Sequence, residues 1–378
     1  MNRREMLRRS LGLGACLTLS NLTAGSSPKP AQGPGSLKML ADKAGLKLGV
    51  QAQKRDLQNP EFVQWVTENF SLLTPGNELK WPRLHPTPDS YTFDEADWMI
   101  EFCQSHGLPV HGHNLCWNSP SGNPAWLSST LTHENAARTL VDYITTVVKR
   151  YKGRIESWDV VNEPVVAWSK RPDGLYPGIW LSLLGSNYLD IAFHAAQAAD
   201  PSALRVLNCY YIEQDTPDAI RTRDFTVVLL QGMLKRNVPV QAVGIESHLS
   251  ATIPSGGASF AKFLRQLSDM GLQVLFTELD VDDSEVIGDI AVRDKVVGQV
   301  YFDYLVESVP AARAKRVIFW SPSDRGNWLN SMPQAKFHRS DGQPHRPGLL
   351  DDSYKKKPAF DSVQAALMKL SAQSKAST

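Results

Sequence analysis

A chain of 378 residues with 40 basic and 39 acidic side chains is almost neutral, at a formal +1, and so offers no basic face to nucleic acid. With 42% apolar residues over this length it can bury a sizeable core, so a disordered or purely linking role is excluded. Its 4 cysteines lack the spacing of a disulfide framework. The chain opens on Arg3, Arg4, Arg8 and Arg9 against Glu5, followed by a short apolar stretch from Leu11 to Leu22. Residues 1–24 are therefore expected to be an export signal of the twin-arginine type, which places the mature protein in the periplasm or outside the cell. The apolar stretch is too short to span a membrane. Residues 25–36, rich in Gly, Ser and Pro, read as a flexible linker. Without the signal, Cys103, Cys116 and Cys209 are left, and at most one pair of them can join.

After the linker, short β-branched runs alternate with amphipathic segments of helical period, the pattern of a parallel sheet with helical crossovers. Strands are expected near Leu46-Gln53, Phe70-Leu73, Leu108-His113, Ile155-Asn162, Leu204-Asn208, Val240-Ile245, Val274-Thr277 and Arg316-Trp320. Helices are expected near Pro60-Asn69, Phe93-His106, Thr132-Tyr151, Ser186-Ala199, Pro217-Arg236, Ala258-Met270, Ile290-Ser308 and Pro358-Ala372. Thr132 to Asn135 offers a cap for the third helix, Asp200-Pro201 and Val309-Pro310 offer stops, and Gly107 and Gly271 sit where left-handed C-caps belong. Eight alternations favour α/β architecture as a single (β/α)₈ barrel over residues 37–372, with 373–378 as a tail.

In such a barrel the chemistry lies at the C-terminal ends of the strands. Two strands end there in carboxylates: Trp158-Asp159-Val160-Val161-Asn162-Glu163, stopped by Pro164, and Thr277-Glu278-Leu279-Asp280. One acid to protonate a leaving oxygen and one carboxylate to attack or to activate water is what glycoside hydrolysis requires. Other polar and aromatic residues gather at the same rim: Asn77, Lys80, His113, Trp117, Tyr210, Glu246, His248, Trp320 and Trp328. A sugar presents hydroxyls at its edge and C–H bonds on its faces, so such a mixture suits it. Asn162 and Glu163 pose a difficulty, because neighbours in a regular strand face opposite ways. A twist or bulge is expected there. His111 and His113 suggest a metal pair only weakly, since no third ligand is apparent, and no metal is expected.

The motifs around Glu163 and Glu278 resemble the acid/base and nucleophile signatures of glycoside hydrolase family 10, largely endo-β-1,4-xylanases. The likeness extends to Thr74-Pro75-Gly76-Asn77-Glu78-Leu79-Lys80-Trp81, to Gly112-His113-Asn114-Leu115-Cys116-Trp117, to the run Ala192 to Pro201, and to Gly348-Leu349-Leu350-Asp351. The resemblance implies a retaining enzyme with Glu163 as general acid/base and Glu278 as nucleophile, without a cofactor. It further implies that Asn162 holds the sugar 2-hydroxyl, that His248 and Asp280 support the nucleophile, and that Asn77, Lys80, His113, Trp117, Trp320 and Trp328 line the glycone side. Xylan or xylo-oligosaccharide is the expected partner, with no nucleic acid, no stable membrane insertion and a monomeric state. The pattern is broken at Gly76, where a Glu is usual, at Asn118, Cys209 and Tyr211, and at Glu246, where an uncharged Gln is usual. Glu246 is expected either to be protonated and mimic the amide, or to pair with a cation. Two rivals follow: a hydrolase of the same scaffold preferring short, decorated or aryl β-glycosides, and a xylan-binding barrel without turnover.

Overall fold

The computed structural model describes residues 35–332 and 338–376; the expected export signal, and the expected linker as far as Pro34, lie outside the described residues. The strands are β1 (Lys47–Ala52), β2 (Leu72–Pro75), β3 (His111–Gly112), β4 (Cys116–Trp117), β5 (Ser157–Asn162), β6 (Leu204–Cys209), β7 (Ala242–Ile245), β8 (His248–Ser250), β9 (Gln273–Asp282) and β10 (Arg316–Phe319). They are parallel, in the order β2-β1-β10-β9-β7-β6-β5-β3, with β4 beside β5 and β8 beside β9. Leu73 bridges Val110 across the remaining gap, and its N–H donates to the Pro109 carbonyl at 3.0 Å. That contact closes the sheet into a barrel of eight staves, β3 with β4 and β7 with β8 each forming one stave.

Near-continuous apolar runs make strands buried on both faces, the condition of a sheet wrapped by helices. The helices Pro60–Asn69, Asp94–Ser105, Ala136–Arg150, Asn187–Ala199, Pro217–Lys235, Gly257–Asp269, Ile290–Ala312 and Pro358–Ala376 pack around it. Their starts carry local signals: Asn59 accepts from the N–H groups of Glu61 and Phe62, Thr216 from Ala219 and Asp289 from Val292. Between sheet and helices the largest side chains are buried, with Trp81 stacked on Tyr143 at 3.6 Å between ring centroids. At the N-terminal mouth, the charges are tied to one another: Glu156 accepts from Lys47 at 2.7 Å and also from Arg316. No described helix is long and apolar enough to cross a membrane.

Several boundaries differ from expectation. A helix, Leu37–Lys43, follows directly on Ser36, whose hydroxyl accepts from the Met39 N–H. The helix expected to stop at Val309-Pro310 runs on to Ala312 and ends on Arg313 at φ 49°. Pro310 sits in its last turn, where the packing of Val309 and Ala312 outweighs the lost ladder bond. The cap expected from Thr132 to Asn135 closes on itself instead, since Asn135 Oδ1 accepts from the Thr132 N–H at 2.8 Å. The closing helix continues through Ala376, taking in most of the stretch read as a tail. Gly107 and Gly271 do adopt left-handed conformations, at φ 63° and 81°.

Candidate active site

Three staves turn the same way near the mouth. Glu163 after β5, Tyr211 after β6 and Ser247 after β7 have φ of 49°, 51° and 63°, a conformation that non-glycine residues seldom adopt. At β5 the register with β6 also slips between Asp159 and Val161. The left-handed turn at Glu163 brings its carboxylate back to the side on which Asn162 lies, so that Asn162 Nδ2 stands 3.4 Å from Glu163 Oε1. The backbone N–H of Glu163 is held by the Asn208 carbonyl at 2.9 Å, and Trp117 Nε1 donates to Glu163 Oε2 at 3.1 Å. Between β7 and β8 the turn at Ser247, anchored by Tyr304 at 2.8 Å, lets both Glu246 and His248 face the mouth.

The second carboxylate, Glu278, lies within β9, and the two-residue period puts Asp280 on its face. His248, paired in register with Asp280 across β8 and β9, meets both: Nδ1 is 2.7 Å from Asp280 Oδ1 and Nε2 is 3.3 Å from Glu278 Oε2. Asp280 is fixed in turn by Ser321 at 2.8 Å and by the Trp328 indole at 2.7 Å. On the other flank, His113 Nδ1 lies 2.9 Å from Asp159 and 3.8 Å from Glu278, while His111 bonds the same Asp159 oxygen at 3.0 Å. Those two histidines thus flank a buried carboxylate in the barrel.

The hub is Asn208. Its Nδ2 is 2.7 Å from Glu278 Oε1, 2.8 Å from Asn162 Oδ1 and 3.3 Å from Glu246 Oε1, while its own Oδ1 accepts from Thr277 at 2.6 Å. A chain of hydrogen bonds therefore runs from Glu163 through Asn162 and Asn208 to Glu278. Gly244, in register with Asn208, leaves the room it needs: a β-carbon there would stand 2.2 Å from Asn208 Oδ1. Gly244→Ala is expected to lower stability by about 1–3 kcal/mol through overpacking and to depress kcat by displacing Asn208. Urea denaturation and steady-state rates check this; wild-type values for both would contradict the role given to Asn208.

The electrostatics divide the carboxyls. Burial and the negative charge of Glu278 push Glu163 up to about 7, against the pull of the Trp117 N–H. Burial also works against ionised Glu278, yet His113 and His248 outweigh it and hold that carboxyl below its ordinary range. His248 itself is held well above the usual histidine range, because Asp280 and Glu278 overcome the cost of burying its charge. Burial lowers the pKa of Lys80, whose Nζ donates to Asn77 at 3.1 Å, and the nearby Glu278 and Glu163 oppose that shift. Burial and the two histidines balance differently at Asp159, which drops to about 2.

Glu246 is 1% exposed, so it does face inward as a third carboxyl. Burial, then repulsion from Glu278 and Glu163, raise it well above the carboxylate range. A carboxyl whose pKa is higher folded than unfolded loses stabilising effect as pH rises from its ordinary 4.5 toward the folded value. Glu246→Gln removes that loss. The variant is expected to melt several degrees above wild type near pH 8 and about equal to it near pH 4, read from melting curves across pH. An offset that is the same at both pH values would mean that Glu246 does not titrate in this way.

The remaining expected residues fall on the same mouth. Trp320 sets an edge against His113 with centroids 5.0 Å apart, Trp328 leans on His248 at 4.9 Å, and Tyr210 lies half-buried beside Tyr211. Asn77, Lys80, Trp320 and Trp328 line a cavity of about 360 Å³. Two of the departures turn out to be structural. Asn118 is buried and ties β4 to the loop after Glu163, bonding the Tyr176 carbonyl at 2.7 Å and the Trp180 N–H at 2.9 Å. Cys209 is buried in the wall, its thiol pushed up to about 12 by burial. Cys103, Cys116 and Cys209 are all unpaired. Asn208 and Asp159 were not foreseen as site residues, although a polar group inside an apolar strand was the visible signal for both. Among the described residues three sets of groups are close enough to hold a cation: two, at His113, Asp159 and Glu278 and at Glu246, His248 and Glu278, share the carboxylate that His248 already engages, and the third, Asp282, Asp283 and His345, includes an Asp283 paired with Arg293 at 2.6 Å.

Comparison with known proteins agrees with this geometry. Residues 36–366 match the family model described as Glycosyl hydrolase family 10. This chain belongs to that family. Over 336 residues it is 29% identical to endo-1,4-beta-xylanase B of Thermotoga neapolitana, covering 87% of this chain and 90% of that one. The fold superposes on native xylanase 10B from Thermotoga maritima with a TM-score of 0.77 at 28% identity, covering 89% of this family 10 chain and 99% of the other. It superposes equally, at 27% identity, on xylanase 10B from Thermotoga petrophila in complex with xylobiose, covering 89% and 98%.

Proposed function

We infer that this family 10 chain is a retaining, endo-acting hydrolase of β-1,4-xylosidic bonds in xylan. The observation that carries the reading is the pair of unlike carboxyls joined by one hydrogen-bond chain at the barrel mouth: Glu163 with a pKa near 7 and Glu278 held ionised between two histidines. Xylanase names among the relatives, and the xylobiose bound to one neighbour, support the substrate class.

In the first step the Glu278 carboxylate attacks the anomeric carbon while Glu163 gives its proton to the departing glycosidic oxygen, which takes the electrons of the broken C–O bond. The ester so formed no longer carries the charge that raised Glu163. Glu163, left as a carboxylate by the first step, takes a proton from a water whose oxygen bonds to the anomeric carbon, and the bond to Glu278 breaks with its electrons returning to that carboxylate. Asn162, fixed by Asn208, is set to hold the 2-hydroxyl, and Trp320 and Trp328 offer apolar faces to the ring. His248 and Asp280 keep Glu278 oriented. Digestion of xylan and xylo-oligosaccharides beside cellulose tests the reading: short xylo-oligosaccharides appear from within xylan chains, first as the β-anomer by proton NMR. First-formed α-anomer, or cleavage of cellulose in preference, contradicts it.

The export route read from Arg3 and Arg4 belongs to the same proposal and rests on sequence alone. Secretion of the full chain from a bacterium, lost on Arg3→Lys with Arg4→Lys, is the expected result; unchanged secretion opposes it.

A further inference from the structure

The 360 Å³ cavity continues past Asn77 into a region that the two carboxyls do not explain. There Arg55, Arg83 and Arg325 line the wall, and Asp56 is the one carboxylate among the lining residues. Asp56 is already engaged: its Oδ2 accepts the Gln53 N–H at 3.0 Å, and Arg55 Nε lies 3.6 Å from its Oδ1. Glu78, the next acid along, turns both oxygens to backbone, taking the N–H groups of Lys54 at 2.8 Å and Asn77 at 3.1 Å. Among the described residues neither Arg83 nor Arg325 comes within 4 Å of a carboxylate, although the charge of Arg325 acts on Asp56 together with that of Arg55. Arg325 rests over the Tyr354 ring at 5.7 Å, and Arg55 reaches across Gly326, its Nη2 standing 3.3 Å from where a β-carbon would be. Gly76 brings no charge to this wall, and the space above it is filled by the neutral amide of Gln51, whose Nε2 lies 1.9 Å from the site of a Gly76 β-carbon.

A neutral sugar needs acceptors as well as donors, because each hydroxyl both gives and takes a hydrogen bond. This wall sets three guanidinium groups against Asp56 and Glu78, both already engaged, with the exposed Glu95 further out beside Arg83. Guanidinium forks suit a carboxylate, and a cleft lined by one sign of charge concentrates the opposite one. Resting on the xylanase reading above, we propose that this end of the cleft binds the carboxylate of an acidic sugar, a uronic acid carried by the glycone part of the substrate. The enzyme then selects acidic xylan over neutral xylan.

The test compares kcat/KM for a xylo-oligosaccharide bearing one glucuronic acid branch with that for the same compound after reduction of its carboxyl to the alcohol. Wild type is expected to prefer the acid about tenfold at low salt, the scale of one charge-assisted hydrogen bond, and less at high salt. The combined variant R55Q/R83Q/R325Q brings the ratio to about one. The matching Arg→Lys variant retains part of the preference, and because each ratio is taken within one preparation, loss of folded protein cancels. Equal rates for acid and alcohol in wild type, or a preference that survives the glutamine variant, overturn the proposal while leaving the xylanase reading intact. Failure to cleave either compound or plain xylo-oligosaccharides removes both.

Discussion

Glu278→Ala is expected to lower kcat by about 10⁴–10⁶ on xylan and on aryl xylosides alike, since no other group can form the covalent intermediate. The loss is independent of leaving group, because attack at the anomeric carbon is needed however easily the aglycone departs. Glu278→Gln provides the control on packing: its amide keeps the contact with Asn208 and fills the same volume, so the melting temperature stays near wild type while turnover vanishes. A second readout comes from Glu163. Glu278 is, after burial, the main cause of its raised pKa, so in either variant the pKa of Glu163 should fall from about 7 toward the ordinary carboxylate range. NMR titration of the carboxyl measures that shift. Near wild-type kcat in Glu278→Ala, or a Glu163 pKa unmoved by it, would count against the assignment of the two roles.

Glu163→Ala should behave differently. On xylan, where the leaving group is a sugar alkoxide, kcat/KM is expected to fall by about 10²–10⁴, the ordinary worth of a positioned acid. On aryl xylosides whose phenolate leaves without protonation, the first step proceeds nearly as before and the second becomes slow. The intermediate then accumulates, seen as a burst of phenol. The pH profile also changes form. Wild-type kcat/KM should decline as pH rises past about 7, where Glu163 loses its proton, and the variant should show no such alkaline limb on activated substrates. A variant that loses activity equally on all leaving groups and keeps the limb would place the acid elsewhere.

Much of this site could be read before any coordinates, and the reason is mechanical. A strand buried on both faces is written as an apolar run, so Trp158 to Glu163 announced where that stave leaves the core, while the strand expected to stop before Glu278 runs on to Asp282 and carries Glu278 and Asp280 inside it. What stayed hidden depends on backbone twists and on contacts between strands. A twist or bulge at Asn162 and Glu163 is expected from their adjacency, but no residue pattern states that it takes the form of a left-handed turn at Glu163, or that Ser247 makes the same turn. Asn208 binds three other staves through a single amide, and nothing within its own strand indicates those partners. Asn118 breaks the family pattern, and its side chain is spent on holding the loop after Glu163. The helix at Leu37–Lys43 is too short for its period to stand out from the Gly- and Pro-rich stretch before it.

The proposed Arg55, Arg83 and Arg325 wall and the buried Glu246 bear on different quantities, substrate choice and pH response, and leave the central chemistry where it is. The proposed chemistry forms a covalent bond between a sugar and Glu278 of β9. A 2-deoxy-2-fluoro-xylobioside with a good leaving group slows both steps but the second more, so the intermediate can be trapped and its peptide identified by mass. The expected result is one fluoroxylobiosyl group on the peptide containing Glu278, on that residue. Full hydrolysis without an adduct, or an adduct on Glu246 or Glu163 instead, would contradict double displacement through Glu278.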